Sequence, residues 1–212
     1  MPASRPARKK PVRTARQSRS RATVEVILEA GARILSQSGW AGLTTNAVAA
    51  RAGVSVGSLY EYFADKQAIV DALLDRHLDE AELALARAAA GADGHAGPQD
   101  IAVALVAGYA AVHAGDPGLH RALSSQVPIG PSQLARLKAI KGRAVALVAG
   151  ALEGHVADAP TVGRVLVDAA DTLTHHWIAE EAAEPHRLAA LLDSLAAMLA
   201  AFVRVRSRPA VP

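Results

Sequence analysis

The stretch that decides the fold runs from Leu43 to Lys66 and reads Leu-Thr-Thr-Asn-Ala-Val-Ala-Ala-Arg-Ala-Gly-Val-Ser-Val-Gly-Ser-Leu-Tyr-Glu-Tyr-Phe-Ala-Asp-Lys. Thr44 is a good N-cap for a first short helix, because its hydroxyl accepts a free backbone N–H. Gly53 ends that helix, since glycine enters the left-handed backbone region at low cost. Ser55 caps a second short helix. The pattern therefore predicts a helix-turn-helix, in which the second helix lies in the major groove of DNA.

The second helix carries no Arg or Lys between Val56 and Tyr62. Val56 and the bare backbone at Gly57 allow close approach to base edges, and Val56 suits a thymine methyl group. Ser58 can donate or accept, and Glu61 can accept from cytosine N4 if it points at the groove floor. Because such contacts are few, affinity must come largely from phosphates.

The same residues carry a family resemblance. Their order and spacing resemble the DNA-binding signature of TetR-type transcriptional regulators over residues 22–70, through Thr44-Thr45, Ala52-Gly53-Val54-Ser55, Gly57-Ser58-Leu59-Tyr60, Tyr62-Phe63 and Lys66. The resemblance implies phosphate-contacting roles for Thr44, Thr45, Tyr60, Tyr62 and Lys66. With the residues above, the predicted DNA-binding set is Thr44, Thr45, Arg51, Ser55, Val56, Gly57, Ser58, Tyr60, Glu61, Tyr62 and Lys66. Two alternatives stay open: Arg51 as a solvated surface residue, and Tyr60 or Tyr62 as packing residues.

The composition favours packed helices. Of the 212 residues, 51% are hydrophobic but only 3% are aromatic, so Ala, Leu and Val carry the apolar content. The absence of cysteine excludes disulfides and thiolate sites. We expect a cytoplasmic protein, because no apolar run reaches the roughly 18 residues of a membrane span and the N-terminus lacks the apolar core of a signal peptide.

Charge is distributed unevenly along the chain. Residues 1–21 hold eight basic and no acidic residues, so the rest of the chain has a net charge of −5. A basic arm on an acidic body is typical of a nucleic-acid contact at one end, although a solvated tail that aids solubility has the same composition. Arg, Pro and Ser dominate residues 1–19, which predicts a disordered arm in the absence of DNA.

Apolar spacing and prolines predict an all-α, nine-helix fold. The first helix begins near residues 20–23 and ends at Ser38-Gly39, and two helices follow in the helix-turn-helix. The others are expected at 65–90, 98–114, 117–126, 131–155, 160–182 and 185–206, five of them opened by proline. With the resemblance, the domains are an arm at 1–19, a helix-turn-helix domain at 20–66, a helical effector-binding and dimerisation domain at 67–206 and a disordered tail at 207–212.

The last two helices carry apolar stripes. Periodicity alone allows these stripes to form either core or a four-helix interface between two chains. The resemblance favours the homodimer, as does the gain from reading two half-sites of a palindromic operator. The predicted interface residues are Val165, Ala169, Leu173, Leu188, Leu192, Leu195, Leu199 and Phe202.

The resemblance also implies a small-molecule pocket within residues 98–182. Leu105, Tyr109 and His113 share one helical face, and His175, His176 and Trp177 are polar groups in an apolar segment. The predicted pocket residues are Leu105, Tyr109, His113, His176 and Trp177, and an aliphatic lining favours an apolar or amphipathic effector. Each histidine has a structural or surface alternative. Convergence of His113, His120, His155 and His176 on a metal is a further alternative. No histidine pair has the close spacing of a standard zinc site apart from the adjacent His175 and His176, which point different ways on a helix, so no metal or other cofactor is predicted.

These patterns together predict a sequence-specific, double-stranded-DNA-binding regulator, most simply a repressor that an effector releases from its operator. The sequence contains no nucleophile–base pair at recognisable spacing, glycine-rich phosphate loop or carboxylate–histidine metal motif, which argues against an enzyme and leaves no catalytic residue to name. The alternatives are an all-helical enzyme and a DNA-bound regulator or assembly protein that takes no effector.

Overall fold

The computed structural model describes residues 12–90, 97–113, 115–181 and 183–207. This part of the chain forms nine α-helices, which confirms the all-α prediction: α1 (Val12–Gly42), α2 (Thr45–Ala52), α3 (Val56–Tyr60), α4 (Lys66–Ala90), α5 (Pro98–His113), α6 (Pro117–Ser125), α7 (Pro131–Leu152), α8 (Ala159–Glu181) and α9 (Pro185–Arg206). The start of the predicted arm (1–11), most of the predicted loop after α4 (91–96) and the tail from residue 208 lie outside the described residues.

The first helix begins at Val12, several residues before the predicted start near Ser20. Alanine, arginine and glutamine are strong helix formers, and no proline follows residue 11 until position 98, so the helix extends into the segment predicted as a disordered arm. At the other end, Gly39 interrupts the helix with φ 64°, as the Ser38-Gly39 pair predicts.

The N-terminal head is built from α1 to α3 and the first turns of α4. Their apolar faces meet in one core, in which Ile27, Leu43, Leu59 and Ile69 are fully buried. Leu123 of α6 belongs to the same core, so the packed unit reaches beyond the predicted boundary at residue 66.

A close contact ties α6 to α1. Ser36 donates a hydrogen bond of 2.7 Å from its hydroxyl to the Asp116 carboxylate, which also caps α6. Gly118 is required here, because a Cβ atom would lie 2.8 Å from the Ser36 carbonyl oxygen. Helix α6 is therefore fixed directly against α1 of the head.

The body consists of α5, α7, α8 and α9 around a second core that includes Val162, Leu166 and Leu195. Gly154, with φ 82°, follows the end of α7 at Leu152, three residues before the predicted end. Among the described residues, α9 alone is long and apolar enough to cross a membrane by length and composition, and only 17% of its most apolar window is buried. Its inward side packs in the second core, and its outer side is exposed in the single chain.

Candidate DNA interface and effector cavity

Local capping fixes the geometry of the helix-turn-helix. The Thr44 hydroxyl accepts from the Ala47 N–H at 3.1 Å, and the Ser55 hydroxyl accepts from the Ser58 N–H at 3.0 Å. Gly53 lies between the two helices with φ 69°. Both predicted caps and the predicted left-handed glycine are therefore present.

The outer face of α3 is exposed and carries no positive charge. Val56, Gly57 and Glu61 are exposed, and the side chain of Tyr60 is 52% exposed. A Cβ at Gly57 would meet only the Ser55 hydroxyl, at 3.8 Å, so packing within the chain does not require glycine there. A glycine that packing does not require suits a surface that another molecule approaches closely.

Hydroxyl groups connect α2 to the end of α3. The Tyr60 hydroxyl lies 3.1 Å from the Thr45 hydroxyl, on the exposed side of the motif. One of the pair donates to the other, which leaves a hydroxyl proton available for an external acceptor. Arg51 is also exposed, near the end of α2. This edge offers donors of the kind that contact phosphate oxygens.

Three further DNA-binding side chains of the predicted set have partners within the chain. Tyr62 is half-buried against the head core. The Lys66 ammonium lies 3.8 Å from the centre of the Trp40 ring and donates to the Trp40 carbonyl oxygen at 3.4 Å. Ser58 accepts a hydrogen bond of 2.9 Å from the Ser55 hydroxyl. These side chains hold the head together, whatever they contact outside it.

A cavity of about 540 Å³ opens between α4, α5 and α7. It exists because the facing helices contribute small residues, which leave space where larger side chains would interlock. Of the predicted pocket residues, Leu105, Tyr109 and His113 line it. The sequence prediction missed most of the lining: Ala81, Ala84, Leu85, Ala88, Asp100, Ile101, Ala104, Gly108, Val112, Ile140, Ala144, Leu147, Val148, Ala151 and His155.

Few polar groups face this cavity. Burial, and then the charges of Asp171 and Asp168, raise the pKa of Tyr109, so its phenol stays protonated and can donate. His155 and Asp100 belong to the exposed part of the lining. A mainly aliphatic cavity with a few orienting polar groups is typical of sites for amphipathic small molecules.

The structure places His176 and Trp177 away from this cavity, which corrects their assignment to the pocket. His176 is exposed, and its ring nitrogen lies 3.3 Å from the Glu180 carboxylate. Trp177 is half-buried against the second core. Adjacent helical residues point about 100° apart. On this turn His175 faces inward, and the centre of its ring lies 4.4 Å from the centre of the His113 ring.

Comparison with known families matches both parts of the chain. The model described as "Bacterial regulatory proteins, tetR family" matches residues 27–73, and the model described as "Tetracyclin repressor-like, C-terminal domain" matches residues 97–202, half of the chain. The chain belongs to the TetR family. No curated protein matches the sequence.

Solved structures of TetR-type regulators share the fold. A TetR regulator from Haloarcula marismortui is 20% identical, with a TM-score of 0.67, covering 89% of this chain and 100% of its own. The regulator FadR from Bacillus subtilis in complex with stearoyl-CoA is 17% identical, with a TM-score of 0.59 and coverage of 83% and 97%. A gamma-butyrolactone receptor described as ArpA-like is 24% identical, with a TM-score of 0.56 and coverage of 86% and 97%.

The predicted dimer surface of this TetR-family chain needs revision. Leu195 and Leu199 are fully buried within one chain, because α9 turns them toward α5 and α8. These two leucines are therefore core residues and are not available to a partner. Of the predicted residues, Val165 is exposed on the outer side of α8; Met198 of α9, which was not in the predicted set, is exposed too. The other predicted interface residues are half-buried, namely Ala169, Leu173, Leu188, Leu192 and Phe202.

Proposed function

We propose that this TetR-family regulator is a homodimeric repressor that leaves its operator when an amphipathic small molecule occupies the cavity between α4, α5 and α7. The observation that carries the proposal is the position of that cavity. Its walls include Ala81 and Ala84 of α4, and the same uninterrupted helix begins at Lys66 within the head.

The head supports the DNA-binding part of the proposal. Its exposed face, from Val56 to Glu61, carries no charge except that of the glutamate, so base readout rests on a few close contacts. Phosphate contacts supply affinity, through the Tyr60 and Thr45 hydroxyls, Arg51 and the basic residues before position 22. Repression follows where the operator overlaps a promoter.

The cavity supports the effector part. Its volume lies within the range of sites for small organic ligands, about 300–1,000 Å³. The alanines and leucines of its wall suit an acyl chain or a similar apolar body, and Tyr109 and His155 suit a polar end. Two structural neighbours are a regulator bound to stearoyl-CoA and a gamma-butyrolactone receptor. Both ligands combine an apolar part with a polar part.

The outer face of α8 and α9 supports the dimer. Val165 and Met198 are exposed apolar residues on neighbouring helices, and most of α9 is not buried within one chain. Pairing through this face gives two heads that read two half-sites of a palindromic operator. The compartment that fits this role is the cytoplasm.

The test begins with the DNA that flanks the gene of this protein. Any inverted repeat found there is labelled, and binding of the purified full chain is followed by fluorescence anisotropy against a scrambled duplex of equal length. Long-chain acyl-CoA and butyrolactone series are then titrated into the complex. We expect saturable binding to the repeat and release by one ligand series. Equal binding to the scrambled duplex contradicts a specific operator, whereas specific binding that no amphiphile changes favours a regulator without an effector.

A further inference from the structure

Four histidines from four helices meet between the head and the effector cavity. They are His77 of α4, His113 at the end of α5, His120 of α6 and His175 of α8, called here the histidine cluster. We propose that His77, His113 and His120 bind a divalent transition-metal ion, with zinc as its simplest occupant. This differs from the set weighed from the sequence, since His155 and His176 lie elsewhere.

The spacing of the nitrogen atoms fits a single ion. One ring nitrogen from each of His77, His113 and His120 lies within 4.8 Å of the others. Imidazole nitrogens bind zinc at about 2.0–2.1 Å, so tetrahedral ligands stand about 3.3 Å apart. Small side-chain rotations therefore bring these nitrogens into place. The centre of the His175 ring lies 4.4 Å from that of the His113 ring and 4.7 Å from that of the His120 ring, beside the three ligands.

Hydrogen bonds already orient the rings as metal ligands are oriented. His113 Nδ1 lies 2.6 Å from the Tyr109 carbonyl oxygen, so Nδ1 carries the proton and Nε2 keeps a free lone pair. His175 Nδ1 lies 2.6 Å from the Asp171 carbonyl oxygen and 3.2 Å from its carboxylate. A histidine that donates one ring N–H to a carbonyl or carboxylate and keeps the other nitrogen free is the usual arrangement at metal sites.

His120 provides the strongest single indication. Its side chain is only 3% exposed, and its Nδ1 has no hydrogen-bond partner. The other nitrogen, Nε2, lies 3.3 Å from the Ser124 hydroxyl. When Nε2–H donates to Ser124, the buried Nδ1 lone pair points to no protein group. A buried polar atom without a partner is costly, and a bound cation satisfies it.

The enclosure of the rings also suits a metal. His113 is 5% and His120 3% exposed, and His77 is half-buried. Buried imidazoles that lie side by side favour the neutral form, which is the form that binds a metal ion.

The surroundings leave room for a further ligand. The three histidines line a second, smaller cavity of about 320 Å³. Glu29, Glu80 and Asp116 line it too, together with Arg33 and Arg76, so carboxylates stand near the route of a cation. Three neutral imidazoles with an open fourth position suit zinc, and also cobalt or nickel, better than calcium or magnesium.

The test uses the full chain without a polyhistidine tag, freed of metal by a chelator and then dialysed. Zinc is titrated against a chromophoric competitor, and cobalt is titrated in parallel while its visible absorption is recorded. We expect one ion per chain, the intense bands of low-coordinate cobalt, and X-ray absorption showing three or four nitrogen neighbours at about 2.0–2.1 Å from zinc. The measurement needs neither an operator nor an effector, so its result is separate from that of the repressor proposal.

Variants identify the ligands. His113→Gln and His120→Gln should each weaken zinc binding by at least about tenfold, whereas His176→Gln and His186→Gln, at exposed positions, should not change it. Zinc should also raise the Tm of the wild-type chain and not that of His120→Gln. The proposal is overturned if the wild-type chain takes up well under one ion per chain. It is equally overturned if X-ray absorption shows one nitrogen neighbour or fewer, or if the exposed variants lose binding as the buried ones do.

Discussion

Gly108 offers a way to fill the cavity between α4, α5 and α7, the proposed effector site, without disturbing the fold. It lies on α5 in the cavity lining, and a Cβ built there meets nothing within 4 Å. Gly108→Leu therefore adds four carbon atoms at the cavity wall without a clash at Cβ. In the helix interior, loss of glycine should stabilise the chain by about 0.5–1 kcal/mol. In the cavity, excluding even two methylene groups of an effector forfeits about 1.6 kcal/mol, roughly tenfold in affinity.

Stability and effector response should thus change in opposite directions. Urea unfolding measures stability, at a fixed protein concentration because dissociation of the proposed dimer contributes to the apparent value. Anisotropy with labelled operator measures DNA binding, which should stay at the wild-type level. Titration with 1-anilinonaphthalene-8-sulfonate, an amphipathic probe, measures access to the cavity and should show at least tenfold weaker binding.

Gly142→Leu is the matched control. Gly142 lies on α7, has nothing within 4 Å of a built Cβ and does not line the cavity. It should gain the same stability as Gly108→Leu and keep both probe binding and effector response. If Gly108→Leu binds the probe and responds to effector as well as Gly142→Leu does, the cavity is not the effector site.

Three further predictions concern the head, the dimer and the body. Tyr60→Phe should weaken operator binding by about 1.5–3 kcal/mol per head with little change in urea unfolding, because the side chain is half-exposed; unchanged anisotropy would remove this hydroxyl from the interface. Met198→Glu should give a monomer in analytical ultracentrifugation while Leu83→Glu, on α4, stays dimeric, since Met198 is 53% and Leu83 51% exposed; two dimers would rule out this face. Gly163→Ala should lower the unfolding free energy by about 1–2 kcal/mol, because its Cβ would lie 2.9 Å from the Ala149 amide nitrogen. The control Gly142→Ala should raise the unfolding free energy by about 0.5–1 kcal/mol. Urea midpoints of the two variants that move in the same direction would contradict the packing argument.

Local chemistry explains what could be predicted from the sequence. Thr44, Gly53 and Ser55 act through caps and backbone conformations that involve residues within four positions of them, so the motif can be located without any tertiary information. Proline at the start of a helix has the same local character, and α5, α6, α7 and α9 begin at the predicted prolines.

Tertiary contacts explain which features could not be predicted from the sequence. An apolar stripe on α9 shows which side avoids water, but not whether Leu195 faces its own chain or a partner. The cavity exists because Ala81, Ala104 and Ala144 have small side chains. Alanine is also a strong helix former, so these alanines give no sign of a cavity in the sequence. The histidine cluster joins residues up to 98 positions apart, from His77 to His175, so no spacing rule could have found it.

The helix α4 connects the histidine cluster and the proposed effector cavity to the head. Its first residue, Lys66, contacts Trp40, and its next turns supply Ile69 to the head core. His77 then enters the histidine cluster, and Ala81 and Ala84 face the effector cavity. At about 1.5 Å of rise per residue, some 27 Å of continuous helix separate Lys66 from Ala84. Because packed helices shift as rigid units, an effector that displaces α4 at the cavity also moves the head. An ion that joins α4 to α5 and α6 acts on that same movement. If the ion and the effector each favour one position of α4, the ion changes the affinity for the effector by some factor, and the effector changes the affinity for the ion by the same factor.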